Sequence, residues 1–205
     1  MGFYSKYILP SFINLACKIN SITKQREKVI PLAHGNILEI GVGSGLNLPF
    51  YDKNKISKLT AIDPSEDLWK KVAVDLKKLP FDFEFIKASA EELPFADKSF
   101  DTIVVTYSLC TIPDANKALI EMRRVLKKDG VLIFCEHGKA PDKNVLLVQQ
   151  FVNPVWKQMA GGCNLHRNIP EILENSGFKI QDIKKMYIPG WRPACYNYWG
   201  TATAI

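Results

Sequence analysis

The chain has 205 residues, is 47% hydrophobic and carries a formal net charge of +6, enough to bury the core of one domain of ordinary size and no second one. Its five cysteines (Cys17, Cys110, Cys135, Cys163, Cys195) are scattered and free of any CxxC pair; this argues against a disulfide framework and a structural zinc site, so no metal is expected and a reducing cytoplasm is the natural compartment. The basic excess is mixed along the chain and no nucleic-acid-binding motif accompanies it, so no nucleic-acid partner is expected.

Residues 3 to 19 form a prelude in which Ile8, Phe12, Leu15 and Ile19 fall on one helical face, with Lys6 and Lys18 off it. The apolar run from Ile8 to Cys17 is broken by Pro10, Ser11 and Asn14, far short of the roughly 20 residues a bilayer span needs. Lys6 stands where a myristoylation signal wants Ser or Thr. Residues 1 to 30 are expected to form a helical lid, with three roles open: packing over the core, closing over a substrate, or a peripheral contact with a membrane surface.

From residue 36 to 138, apolar β-rich runs alternate with helical stretches. NILEI leads to a turn and helix near 44 to 50, KLTAID to a helix from Ser65 to Lys78, and DFEFIKA to a short connection. FDTIVVTY precedes a helix near 114 to 127 that Gly130 ends, and VLIFCEH follows. This is the pattern of an α/β, doubly wound, mostly parallel sheet. Beyond it come a helical stretch with Val145, Leu146, Val148, Phe151 and Val152, then GGCNLHR, then a helix in IPEILENSG. FKIQDIKKMYI and YNYWGTATA follow with no helix between them, which predicts an antiparallel C-terminal hairpin at one edge of the sheet.

The stretch ILEIGVGSGLN, residues 37 to 47, places three glycines directly after the first strand. Such a turn lies at the carboxyl end of the sheet, where open α/β sheets bind ligands. In the dinucleotide fingerprint G-x-G-x-x-G the third glycine would stand at Leu46, and no GK[ST] follows for a phosphate loop. Glu39, two residues before Gly41, would oppose a pyrophosphate and attract a cation. Asp63, 22 residues after Gly41, stands where an acid accepts hydrogen bonds from ribose hydroxyls. A ribose, positive charge and no phosphate describe S-adenosylmethionine.

The run E-x-G-x-G-x-G, the acid at Asp63, FDTIVV and RVLKKDG together resemble the class I S-adenosylmethionine-dependent methyltransferases, with the likeness over about residues 36 to 138. The resemblance implies a seven-stranded Rossmann-like sheet and S-adenosylhomocysteine as product. It implies that Glu39, Gly41, Gly43, Ser44 and Gly45 form the turn around the methionine moiety, and that Asp63 holds the ribose with Pro64 beginning the next helix. Ser89, Ala90 and Glu91 would line the adenine; many relatives carry an acid at the position of Ser89, which makes the backbone of Ala90 the safer contact. Thr106, Tyr107 and Leu109 belong to the segment beneath the methionine portion.

A narrower resemblance lies in YSLCTI, CEH at 135 to 137, NPVW at 153 to 156 and GGCNLHR at 161 to 167, which are similar to a methyltransferase-like family of microsomal alkyl thiol methyltransferases. Those relatives begin with a long hydrophobic anchor that has no counterpart here. Residues 139 to 205 would then carry acceptor-side helices and the C-terminal strands. The expected acceptor is a small apolar molecule, a thiol first, with a quinone carbon or a phospholipid amine behind it. Two other classes stay open: a catalytically silent module that binds S-adenosylmethionine, and an NAD(P) oxidoreductase.

A thiol acceptor must lose its proton, and His137 at the end of the fifth strand is the first candidate base, with His166 second. Cys110 and Cys163 are expected to pack or to line a pocket. Trp156, Trp191, Tyr196, Tyr198 and Trp199 either wall the acceptor pocket or belong to the core; Arg167 and Arg192 either meet an anionic group or face water. The sequence leaves the oligomeric state open.

Overall fold

The structure is a computed structural model that describes residues 8 to 205; Lys6 and the rest of the first seven residues lie outside the described part. Two helices come first, α1 (Leu9–Cys17) and α2 (Asn20–Val29). Then follow β1 (Gly35–Ile40), β2 (Ile56–Ile62), α3 (Glu66–Trp69), β3 (Asp82–Ile86), β4 (Phe100–Thr106), α4 (Ala115–Val125) and β5 (Leu126–His137). The chain ends with α5 (Lys143–Met159), α6 (Ile169–Asn175), β6 (Phe178–Tyr187) and β7 (Tyr196–Ala204).

The seven strands form one sheet in the order β3-β2-β1-β4-β5-β7-β6. β1 to β5 run parallel, and β7 inserts antiparallel between β5 and β6. This is the expected Rossmann-like sheet with its antiparallel hairpin edge. Side-chain alternation along the central strands feeds both faces. Leu38, Ile103, Leu132 and Phe134 pack with Ala118, Leu119 and Met122 of α4 and Leu173 of α6. Ile37, Leu59, Val104 and Ile133 pack on the other face with Val29 and Trp199. Strands covered on both sides are what the uninterrupted apolar runs required.

Two local expectations fail for identifiable reasons. The predicted helix from Ser65 to Lys78 is only the single turn of α3, followed by turns and a 3-10 turn over Leu76–Lys78. Val72 and Val74, two residues apart, both pack on the apolar cluster with Phe81 and Phe83, a period of two that a helix cannot present to one face. Gly130 does not end a helix: α4 stops at Val125 and the chain enters β5 at Leu126. Gly130 lies where the β4–β5 register shifts, and a Cβ there would stand 2.7 Å from Leu126 Cδ1 and 3.0 Å from the Asp101 carbonyl.

The described part of the prelude is helical, and of the roles left open for its apolar stripe the structure does not support packing over the core. Phe12 is 45% exposed and Leu15 72%, while Leu9, Pro10, Ile13, Asn14 and Cys17 turn toward the carboxyl ends of the strands. Leu147, Phe151 and Val155 on α5 are also exposed. Among the described residues no helix is long and apolar enough to cross a membrane.

Candidate active site

β1 and β4 are neighbours while the chain leaves β1 for β2 on the opposite side, so a crevice opens between them at the carboxyl ends. The cleft there has a volume of about 400 Å³, a size ordinary for small-molecule sites. Of the expected cofactor residues, Gly41, Gly43, Ser44, Asp63, Pro64, Ser89, Ala90, Glu91, Thr106 and Tyr107 all line it. Gly41 has φ +70° and a Cβ on it would collide with Ser108 Oγ; Gly43 has φ +54° and a Cβ there would project into open space. The turn thus needs glycine both for its backbone and to keep side chains out of the cleft.

Asp63 ties this turn to β2. Its Oδ2 accepts the Gly43 N–H at 2.9 Å and its Oδ1 accepts the Ser65 N–H at 2.7 Å. Burial raises its pKa, and these two backbone donors oppose the shift. Each carboxylate oxygen keeps one further acceptor site, so the group can receive two adjacent hydroxyls without releasing the loop.

Glu39, Gly45 and Leu109 do not line the cleft. Glu39 sits beneath the turn, fully buried, with Oε1 accepting from Asn47 Nδ2 at 2.8 Å and Oε2 from the Tyr51 hydroxyl at 2.8 Å. Asn47 Nδ2 also reaches Thr106 Oγ1 at 3.0 Å, and Asn47 itself lines the cleft. Burial pushes the Glu39 carboxyl up to about 7 against the opposing hydrogen bonds from Tyr51 and Asn47. Leu109 is held by its N–H on Glu136 Oε1 at 3.0 Å, beside that of Ser108 at 2.7 Å.

Tyr107, immediately after β4, holds φ +52°, an unusual conformation for a bulky side chain and one that clusters at functional sites. Its hydroxyl donates to Asn197 Oδ1 at 2.6 Å, and Arg26 from α2 lies 5.1 Å from its ring centroid. The Ser89 hydroxyl faces Glu91, accepting its N–H at 3.2 Å. A further wall is α1, whose orientation the hydrophobic pattern left open; Leu9, Ile13 and Cys17, at i, i+4 and i+8, face the cleft. Ser44 Oγ donates to Asn14 Oδ1 at 2.7 Å, so Ser44 bridges the glycine turn to this helix.

The C-terminal half braces the β4–α4 loop. Buried Gln149 on α5 accepts the Ala140 N–H and donates to the carbonyls of Gly138, Leu165 and Pro193. Asn153 accepts the Leu165 N–H at 2.9 Å, and the Arg167 guanidinium donates to the carbonyls of Leu109 and Ile112. Arg192 stacks over Tyr187 at 4.3 Å. None of the five candidate aromatics lines the cleft: Trp156 and Trp191 pack together with centroids 5.4 Å apart, and Tyr198 and Trp199 join the two cores.

His137 does not line the cleft either. Its Nε2 lies 3.1 Å from Cys163 Sγ, and Cys163 follows two residues after Gly161, which does line the cleft. Burial acts to lower its pKa, but Cys110 and Glu136 outweigh that and raise it. The hydrogen bond between the two thiols lowers Cys163 and, with burial, drives Cys110 well above its ordinary value. His166 is lowered by burial and nearby Lys139.

Residues 38–134 match the family model for a methyltransferase domain. The chain is 33% identical over 172 residues to human thiol S-methyltransferase TMT1B, covering 81% of this chain and 69% of that protein. Against the Rattus norvegicus TMT1B it is 32% identical over 167 residues, 79% of this chain and 65% of the relative, so it spans about two thirds of these curated relatives. A shorter match, 38% over 130 residues, reaches the ubiquinone/menaquinone biosynthesis C-methyltransferase UbiE of Rickettsia bellii, covering 60% of this chain and 51% of that one. Among solved structures, an Aquifex aeolicus SAM-dependent methyltransferase superposes with TM-score 0.66 at 19% identity over 96% of this chain and 98% of its own. The [4+2]-cyclase SpnF does so equally well, with TM-score 0.66 at 19% identity over 89% of this chain and 79% of its own; fold likeness alone does not select a reaction.

Since the Glu39 carboxyl is raised from 4.5 to about 7 on folding, the folded state keeps a proton that the unfolded chain releases between those values. Its contribution to stability is therefore present below about pH 4.5 and lost as pH rises toward 7, a difference of about 3 kcal/mol. Urea denaturation at about pH 5 and about pH 8 is expected to show this fall in the wild type and a flatter profile in Glu39→Gln. Parallel profiles for the two proteins would show that Glu39 is ionised throughout.

Proposed function

Because the chain belongs to the class I S-adenosylmethionine-dependent methyltransferases, we propose that it transfers the methyl group of that donor to a small apolar thiol. The observation that carries the donor assignment is Asp63, anchored by two backbone N–H groups at the cleft wall beside a glycine whose Cβ would enter open space. The thiol acceptor is supported by TMT1B, matched over the cofactor half and across GGCNLHR at 33% identity. The UbiE likeness covers less of both chains, so methylation of a quinone carbon stands second.

The bound donor supplies a methyl group on a sulfonium, an electrophile that needs no covalent enzyme intermediate. The protein's part is alignment, which can account for roughly 7 to 11 kcal/mol of a barrier in well-oriented systems, and exclusion of water. Asp63 receives the ribose hydroxyls, the backbone at Gly41 and Gly43 borders the methionine portion, and the segment Ser89 to Glu91 borders the adenine. The described part of the 1–30 segment, α1 and α2, acts as the lid, through Leu9, Ile13 and the Asn14–Ser44 hydrogen bond on α1. The acceptor sulfur lies toward the side of the cleft lined by Thr111 and Gly161. The outward stripe of α1, with Phe12 and Leu15 exposed, supports peripheral contact with a membrane surface, where an apolar acceptor would concentrate.

Asp63→Ala is expected to weaken calorimetric binding of S-adenosylhomocysteine by at least about tenfold, the loss of one charged hydrogen-bonding group; unchanged affinity would remove Asp63 from the ribose. A panel of alkyl thiols, quinols and phospholipids with methyl-labelled donor is expected to label thiols fastest. Label only in quinols transfers the assignment to the second reading, and no product from any acceptor leaves a silent binding module. In vesicle co-sedimentation, Leu15→Ser is expected to release the protein from anionic vesicles; wild-type protein that stays in the supernatant rules out the membrane contact.

A further inference from the structure

Three soft donor groups meet beside the cleft although the sequence holds no metal motif. Cys110 comes from the loop after β4, His137 from the last position of β5 and Cys163 from the turn between α5 and α6. Their three ligand atoms lie within 4.8 Å of one another, with His137 Nε2 3.1 Å from Cys163 Sγ. Zinc bound at about 2.3 Å by sulfur and about 2.0 to 2.1 Å by imidazole holds its ligand atoms about 3.5 to 3.8 Å apart in a tetrahedron. The cluster thus needs shifts of about an ångström or less to close on such an ion, smaller than an ordinary side-chain rotation.

The surroundings are built to hold the three groups there. Asn153 and Gln149 fix the turn through both backbone groups of Leu165, and Arg167 fixes the loop through the Leu109 carbonyl, next to Cys110. The Asn164 N–H donates to the Cys110 carbonyl at 2.8 Å, joining the two cysteine segments directly. All three residues are at most 9% exposed.

We propose that Cys110, His137 and Cys163 bind one zinc-class divalent cation whose fourth position faces the acceptor end of the cleft. Three protein ligands with an open position is the arrangement of catalytic rather than structural zinc. This deepens the thiol reading and rests on it only for the fourth ligand: an acceptor thiol that reaches the ion exchanges its S–H proton for a sulfur–metal bond and is presented as a thiolate. The proton passes to solvent, and the sulfur then takes the methyl group. The cation changes neither oxidation state nor count, so the step needs no further reactant.

The test is metal stoichiometry and cobalt spectroscopy on the full chain. After zinc loading and dialysis, elemental analysis is expected to find about one zinc per chain. Cobalt in its place is expected to give the near-ultraviolet charge-transfer band of thiolate ligation and the strong visible bands of a tetrahedral ion. Cys163→Ser and Cys110→Ser are expected to weaken zinc by at least the roughly 10- to 100-fold that loss of an outer-shell partner costs, while Cys195→Ser, whose sulfur is not among the three clustered ligand atoms, retains it. Wild-type protein free of stoichiometric metal, or cobalt without thiolate bands, overturns the site whether or not the variants fold. An alkyl thiol added to the cobalt form is expected to intensify the charge-transfer band; no change overturns the fourth-ligand assignment. Labelled methyl transfer to thiols, followed separately, reports on the acceptor reading itself, so the two can fail independently.

Discussion

The buried carboxylate of Glu39 is the point from which the cleft is built. It lies at the end of β1 under a turn with too few side chains to pack itself, and it joins Asn47, Tyr51 and, through Asn47, Thr106 of β4. A glycine-rich segment loses more conformational freedom on folding than any other, so its shape has to come from elsewhere. Glu39 holds it from below and Asp63 from the side at Gly43. Burying an acid is costly, which is visible in its carboxyl being pushed up to about 7; in exchange the ends of β1 and β4 are tied together beside the cavity. The acid expected to attract a cation thus acts through Asn47, which borders the cavity, while its own carboxyl group stays below.

A second polar network does the same for the opposite side. Gln149 and Asn153, on a helix whose outward face is apolar and exposed, turn inward and hold the loops that follow β5 and α5. Because each of their amide groups meets backbone carbonyls or N–H groups, the loops are fixed without relying on apolar packing. Arg167 completes this by reaching the loop after β4. These contacts give the NPVW and GGCNLHR segments a physical role: they position Cys163 and Gly161 against the cleft.

The two halves of the chain therefore carry different kinds of information. The parallel core is shared with methyltransferases and with a cyclase at equal structural similarity, so it specifies where a ligand sits and little about what is done to it. The shape of the C-terminal half is set by side-chain hydrogen bonds between segments distant in sequence.

The sequence by itself determined the order and type of the strands, the antiparallel final pair, the glycine turn and Asp63, because each rests on local periodicity or on residues within one βαβ unit. It misplaced the span of α3 and the end of α4, where apolar residues followed tertiary packing and a register shift in place of helical spacing. It left the orientation of α1 open, since Ile8, Phe12, Leu15 and Ile19 are as periodic as Leu9, Ile13 and Cys17 and only the position of the cleft separates the two faces. For Tyr196, Tyr198 and Trp199 the sequence left pocket wall and core both open, and they are core because β7 is inserted inside the sheet. The gathering of Cys110, His137 and Cys163 was invisible in the sequence: the three lie 27 and 26 residues apart, and only the closure of three loops over the strand ends brings their ligand atoms together.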